Sequence, residues 1–486
     1  MSYPVDSLKP LALWNYFDKI RQIPHGSKNE KALGEAVMGW CGEKGCETAM
    51  DDVGNVVIRV PATKGYENAP IVVLQGHLDM VCEKNADKEF DFEKDAIVFV
   101  REDDWITADG TTLGADNAIG IATGLAFLDM PEAVHGPLEI LLTVDEETGL
   151  VGAQALKSDF LKGRMLFNLD SEEDGVFYVG CAGGRDTDLK LPVTVTSPPA
   201  GQTALRVEVK GLRGGHSGLD IIHNRGNAIR LTGRALLAIS DKMDLTLASI
   251  AGGDKHNAIP REAAAVILVP AGKENEVKTI LDAQLAGFRD EFASGEPEIS
   301  LTVTPADAPG DVMDTDSRER VMQLVLGLPH GVLAMVRGMD GMVETSTNMA
   351  RVRIEEGNLT ILTSTRSSVA SAIDGVIAQI EAVGRATGAE VHTNEGYPGW
   401  MPNLDSKMLA KAKEVWTAVH GTDAKFTVIH AGLECGLIGE KYEGMDMISL
   451  GPTIMNPHSP DEKVSISSVE RFFDFVKAFL AALVKA

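Results

Sequence analysis

Ile71-Val-Val-Leu-Gln-Gly-His77-Leu-Asp79 is a short apolar run that breaks abruptly into polar residues. A run of this length and composition reads as a strand buried on both faces, the kind found in parallel sheets covered by helices. Two more segments repeat the pattern. Leu138-Glu-Ile-Leu-Leu-Thr-Val144 runs into Asp145-Glu146-Glu147-Thr148-Gly149, and Met165-Leu-Phe-Asn-Leu169 runs into Asp170-Ser171-Glu172-Glu173-Asp174-Gly175. In an open α/β sheet ligands bind in the crevice beyond the carboxyl ends of the strands, so the histidine and acids that end these three runs are expected to converge. A fourth polar group, Gly114-Ala-Asp116-Asn117, opens the helix-like stretch 117–130.

Working outward from these strands, residues 47–183 alternate short apolar runs with helical patterns, which argues for α/β layers around a mostly parallel sheet. The helical patterns include a stretch over 153–163. Residues 8–45 read as two amphipathic helices, the second expected to open with a capping box of Ser27 and Glu30. From 184 to 399 the texture changes. Alternating strands such as Ala204–Gly211, Ala263–Pro270, Ile299–Pro305 and Asn358–Thr365 are separated by three or four amphipathic helices, an α+β pattern. After Gly396-Tyr-Pro-Gly-Trp400 the α/β texture returns, with a terminal helix from about Ser465. The expected organisation is therefore an α/β domain built from 1–183 and 400–486, with an inserted α+β domain over 184–399.

The 486 residues carry 45 Lys+Arg against 71 Asp+Glu, so the formal charge is 45 − 71 = −26. Without a basic block, nucleic acid and anionic membrane surfaces are poor partners. Hydrophobic residues make up 44%, which excludes disorder of the whole chain, and the length calls for two or more domains. The opening MSYPVDSLKPLALWNYF lacks a basic region followed by an apolar core, so a cytoplasmic location is expected. Five scattered cysteines without C-x-x-C spacing suggest neither a disulfide framework nor a thiolate metal site.

Each polar group has an ordinary explanation when taken alone. Asp116 before a helix reads as an N-cap, and acidic turns after strands are commonly just solvated. The set is harder to dismiss, because four or five carboxylates converging on one crevice repel each other by several kcal/mol at low effective dielectric. A bound cation removes that repulsion. Histidine with carboxylates and no cysteine suits zinc, cobalt or manganese rather than calcium. Two ions about 3.5–4 Å apart would call for a second histidine. His458, in the loop Gly451-Pro-Thr-Ile-Met-Asn-Pro-His458-Ser-Pro-Asp-Glu462, is the expected one.

In order and spacing, the segments GHLDMV, GADNAIG, DEETGLVGA, NLDSEEDG and NPHSPDE resemble the co-catalytic zinc peptidase family that includes aminoacylase, carnosinase and peptidase T. The resemblance covers nearly the full length. It implies that the discontinuous domain is catalytic and the inserted one a lid. It further implies two divalent ions, zinc first with cobalt or manganese as alternatives. His77 and Asp170 would bind one, Glu147 and His458 the other, and Asp116 would bridge both. Asp79 would hold the His77 imidazole, and Glu146 would be the general base for a hydroxide between the ions. Relatives often carry a cis peptide after the bridging Asp, here Asp116–Asn117. Many also carry Lys-Gly shortly after it, whereas this chain reads Asn117-Ala-Ile-Gly120, a departure that points to the dipeptidase branch.

In the lid, the resemblance makes His216 of Gly211-Leu-Arg-Gly-Gly-His216 the oxyanion donor, and Asn257, Arg366 and Gly432 substrate-binding residues. Arg suits a peptide carboxylate because its planar fork binds bidentately. Glu434 reads equally as a helix-starting acid. The implied activity is hydrolysis of dipeptides with a free amino terminus, Xaa-His such as β-Ala-His among them, by a homodimer. A tripeptide aminopeptidase or an N-acyl amino acid deacylase is the alternative on the same site, and a non-catalytic binding protein a remote one.

Overall fold

The computed structural model describes residues 5–484, which divide into two compact units. The first runs to Gly180 and resumes over Trp400–Val428 and from Leu433 onward; the second comprises Cys181–Gly399 with Ile429–Gly432.

The first unit is built on an eight-stranded sheet. Its four central strands are Leu138–Thr143, Val72–His77, Met165–Asn168 and Asp446–Ser449, and they run parallel. Antiparallel strands Glu47–Met50 and Val56–Val60 flank one side. Val72–His77 and Leu138–Thr143 are buried along their whole length, as continuous apolar runs require when helices cover both faces. One covering layer is the terminal helix Ile466–Leu483, capped by the Ser465 hydroxyl, which buries Phe472, Phe473, Phe475, Val476 and Phe479. Aromatic residues are only 5% of the chain, yet they gather here. The rings of Phe167 and Phe479 meet edge to face at 4.7 Å, and those of Phe177 and Phe475 at 5.1 Å, arrangements that add about 0.5–1.5 kcal/mol each beyond area burial.

Two local expectations fail. The helix opened at 153–163 is only Val151–Ala155. The chain then turns, and the buried Glu139 carboxylate accepts from the amides of Lys162 and Gly163 instead; Ser158 and Asp159 favour turns over helix interiors. Ser27 and Glu30 form no capping box either. The helix Lys31–Glu43 has no side-chain cap bond. The Ser27 hydroxyl donates to Asp79 at 2.8 Å, while Glu30 accepts from the amides of Lys28 and Asp145.

The second unit is a nine-stranded antiparallel sheet with helices Ala228–Ser240, Glu274–Phe292, Thr315–Gly327 and Ala370–Thr387. The apolar faces of the sheet and these helices share one core, including Val207, Leu236, Ile267, Val325 and Ile361. Among the described residues no helix is long and apolar enough to cross a membrane.

Candidate active site

His77 is the last residue of its strand, and three other chain segments meet it there. Its Nδ1 lies 2.9 Å from the Asp79 carbonyl oxygen, so when the ring is neutral the proton sits on Nδ1 and Nε2 is free to act as a ligand. Nε2 is 3.0 Å from Asp116 Oδ1 and 3.1 Å from Asp170 Oδ1. On the other side, His458 Nε2 is 3.2 Å from Asp116 Oδ2 and 3.1 Å from Glu147 Oε1. Asp116 thus offers one oxygen to each histidine. One ring nitrogen cannot satisfy two carboxylates, and Asp170 Oδ1 and Glu147 Oε1 are left as buried atoms without a hydrogen-bond partner. Donor atoms of His77, Asp116 and Asp170, of Asp116, Glu147 and His458, and of His77, Glu146 and Glu147 each fall within 4.8 Å of one another. Imidazole and carboxylate donors converging with orphaned oxygens fit a metal centre.

The local backbone explains how Asp116, Glu146 and Glu147 reach this point. Asp116 does not act as an N-cap. It has non-helical angles and is followed by a cis peptide to Asn117. The Asn117 amide lies across two glycines. Its Nδ2 donates to the Leu169 carbonyl, and a Cβ on Gly76 or Gly120 would come within 2.4 Å of its Oδ1. Beyond Thr143 the strand ends, and Asp145 takes a left-handed φ of 52°. The Asp79 carboxylate then accepts from the amides of Glu146 (2.9 Å) and Glu147 (3.2 Å). Asp79 was expected to hold the His77 ring through its carboxylate, which lies at 3.4 Å. Its carbonyl makes the shorter contact, and its carboxylate orders the turn carrying both glutamates.

The charges of the cluster shift its proton affinities. Burial alone would lower His77, but Asp170 and Asp116 raise it well above its ordinary value. His458 is pushed up to about 11 by Asp116 and Glu147. Burial would raise Asp116, yet His458 and His77 hold it below the usual carboxylate range. Burial lifts Asp170 to about 6 and, with the neighbouring acids, lifts Glu146 well above a normal glutamate. Glu434, fully buried at the start of the helix Glu434–Lys441, is raised to about 8 by burial, and its Oε2 accepts from Gln75 and Thr143.

In the second unit, Gly215–His216 pairs with Ala258–Ile259, which sets Asn257 beside the histidine's strand. His216 Nδ1 accepts from the amides of Gly218 and Leu219, both at 3.1 Å. The proton of the neutral ring is therefore on Nε2, leaving that nitrogen a donor. Burial and Arg366 lower its proton affinity. Arg366 is 6% exposed, yet among the described residues it has no ion pair. Its one described side-chain hydrogen bond is Nη1 donating to the Tyr397 hydroxyl at 2.8 Å, and its Nε is a buried donor without an acceptor. The Tyr397 ring packs so closely on Gly432 that a Cβ there would meet it at 2.8 Å.

Residues 73–482 match Peptidase family M20/M25/M40. The chain belongs to this family. It is accordingly a hydrolase acting on peptide bonds. The cytosol non-specific dipeptidase of Escherichia coli is 41% identical over 476 residues, covering 98% of each chain. The crystal structure of aminoacylhistidine dipeptidase from Vibrio alginolyticus superposes with a TM-score of 0.96 at 41% identity, covering 99% of this chain and 98% of that one. The aminopeptidase PepT of Bacillus cereus, at 16% identity and a TM-score of 0.58, shares the fold.

Two residues near these clusters escape a reading of the sequence. Tyr397 lies in the Gly-Pro-rich segment that marks only a change of texture, and Glu172 is one acid of an acidic turn. The latter is raised to about 8 by burial and by Asp116 and Asp170.

Proposed function

We propose that the protein is a co-catalytic metallopeptidase that hydrolyses dipeptides with a free amino terminus, Xaa-His among them. The observation that carries the reading is Asp116, whose two oxygens face two separate histidine–carboxylate pairs. His77 and Asp170 would hold one divalent ion, Glu147 and His458 the other. Zinc is the best match to the donor set, with cobalt and manganese close behind. Bound there, the ions supply Lewis acidity that lowers a water's pKa from 15.7 toward about 7. Glu146 takes the proton of the attacking water and delivers it to the leaving amine. The Nε2–H of His216 donates to the developing oxyanion, a role its backbone-fixed tautomer supports.

Arg366 binds the substrate's terminal carboxylate, with Asn257 and the loop at Gly432 as further substrate-binding residues. A buried guanidinium without a carboxylate of its own supports an anionic ligand. The names of the two relatives at 41% identity support a dipeptide as substrate, and the word cytosol in one of them supports a cytoplasmic location.

The test is zinc analysis of the purified protein together with hydrolysis of Gly-His, β-Ala-His, a tripeptide and an N-acetyl amino acid, before and after chelation. Activity on the dipeptides that chelation removes and zinc restores is expected. In Glu146→Ala, kcat should fall by about 10²–10⁴ with metal content unchanged. Near-normal turnover would end the general-base assignment.

A further inference from the structure

Glu462 closes the loop that carries His458, and no step described so far uses it. It is 2% exposed. Its Oε2 accepts from the amides of Leu113 (2.8 Å) and Gly114 (3.0 Å), and its Oε1 from those of Ala115 (2.8 Å) and Asp116 (3.3 Å). Four consecutive N–H groups therefore converge on one carboxylate, the last of them belonging to Asp116 itself. Gly114 makes this concavity with a left-handed φ of 71°, and a Cβ there would meet the Met80 sulfur at 2.9 Å. Successive amides in such a turn form an anion-binding nest.

The other end of the link is equally fixed. The Glu462 amide donates to Ser459, the Ser459 hydroxyl donates to Asn456, and the Glu462 carbonyl accepts from Thr107. Lys463–Ser465 then pairs with Trp105–Ala108. His458 itself sits at a φ of 60°, a conformation that persists in a non-glycine residue only where its surroundings hold it.

We infer that Glu462 is a positioning residue for the metal centre: by binding the Leu113–Asp116 amides it sets the distance between Asp116 and His458, two of the three donors for one ion. The inference rests on the reading of Asp116 and His458 as ligands. For the ion of Glu147 and His458 the link would set two of three donors, Asp116 and His458; for the other it would set only the shared Asp116, since His77 and Asp170 stand on buried strand ends that Glu462 does not touch, so the two ions depend on it unequally. A glutamine here turns an NH₂ toward N–H donors and strands part of the nest. An aspartate keeps the charge but falls one methylene short.

Zinc affinities are measured at pH 7.5 by competition with a chromogenic chelator, for wild type, Glu462→Gln, Glu462→Asp and His458→Ala. Circular dichroism of each metal-free protein reports folding. Wild type should bind two ions and His458→Ala one; any other result for these two overturns the ligand reading, independently of Glu462. In Glu462→Gln one ion should bind about 10–100-fold more weakly, the range known for groups that orient ligands, and the other, which shares only Asp116 with the link, should weaken by a smaller factor. Excess zinc should restore much of its kcat. Glu462→Asp should fall between, and it decides the matter if the glutamine variant does not fold. Wild-type affinity at both sites, or equal loss at both, overturns the inference.

Discussion

Loading the metal-free protein with zinc should release about two to three protons at pH 7. The count follows from the cluster. His458 is raised to about 11 by Asp116 and Glu147, and His77 is raised well above its ordinary value, so both rings carry a proton when no ion is present. A ligating imidazole must be neutral, so each gives up one proton. Glu146 is raised by burial and by the neighbouring acids, and it must ionise to act as a base, which accounts for the third. The sign for stability follows from the same shifts. The His458 ion pairs support the metal-free fold fully below pH ~6.5 and are lost as pH rises toward about 11. Apparent zinc affinity moves the opposite way and rises with pH, by about two to three decades per unit in the product of the two binding constants. Titration calorimetry in buffers of different protonation enthalpy measures the release directly, and His458→Ala should lower it by about one. Release below about half a proton per pair of ions would refute the reasoning, because the two histidines would then be either uncharged in the metal-free protein or not ligands.

Tyr397→Phe removes the one described side-chain hydrogen bond of the Arg366 guanidinium. KM for dipeptides should rise about five- to tenfold, the worth of one ordinary net hydrogen bond, with kcat within about twofold; a C-terminally amidated dipeptide should show no difference between the two proteins, and an equal effect on both substrates would separate Tyr397 from carboxylate binding. Glu434, raised to about 8 in the folded chain against an ordinary value near 4.5, binds a proton in the native state that the unfolded chain releases. The metal-free protein should therefore lose stability from pH ~5 to 8, by up to about 1.4 kcal/mol per pH unit from this group, and Glu434→Gln should flatten that slope in urea unfolding. Coincident slopes would mean that Glu434 is ionised in the fold.

Much of the sheet and the cluster can be read from local pattern. A strand buried on both faces has to be apolar, so Gly76-His77, Asp145-Glu146-Glu147 and Asp170 stand out as the points where three such strands stop being apolar. Asn117 and Gly120 are likewise visible in GADNAIG, and Gly76 in GHLDMV, although what these glycines make room for is not. The partnerships that set the geometry lie far apart in the chain. Glu462 and Leu113 are 349 residues apart, and Arg366 and Tyr397 are joined only by the fold. Ser27 shows the opposite failure. Its spacing to Glu30 satisfies a local rule, but Asp79, 52 residues away, offers its hydroxyl a buried carboxylate, and the long-range bond wins. A side chain with two competing partners goes to the one that would otherwise be buried and unpaired.

The same competition explains how a fold can carry such a cluster before any ion arrives. Asp79, Asp116, Glu146, Glu147 and Asp170 would together bring −5 into a buried space. The two histidines supply +2 when protonated, which leaves −3. Burial first, and neighbouring acids second, raise Asp170, Glu146, Glu172 and Glu434, so each takes up a proton more readily than an exposed acid. Protons therefore stand in for cations, on the imidazoles that would otherwise ligate and on the carboxyls nearest the unbalanced charge. Two divalent ions would bring +4 and leave −1, which removes the reason for the two imidazole protons and that of Glu146 to stay. Glu146 is the one whose release matters for chemistry, because a glutamate that keeps its proton cannot accept another. On this reasoning metal loading does two things at once: it fills the gap between the two histidines, and it converts Glu146 from an acid into a base.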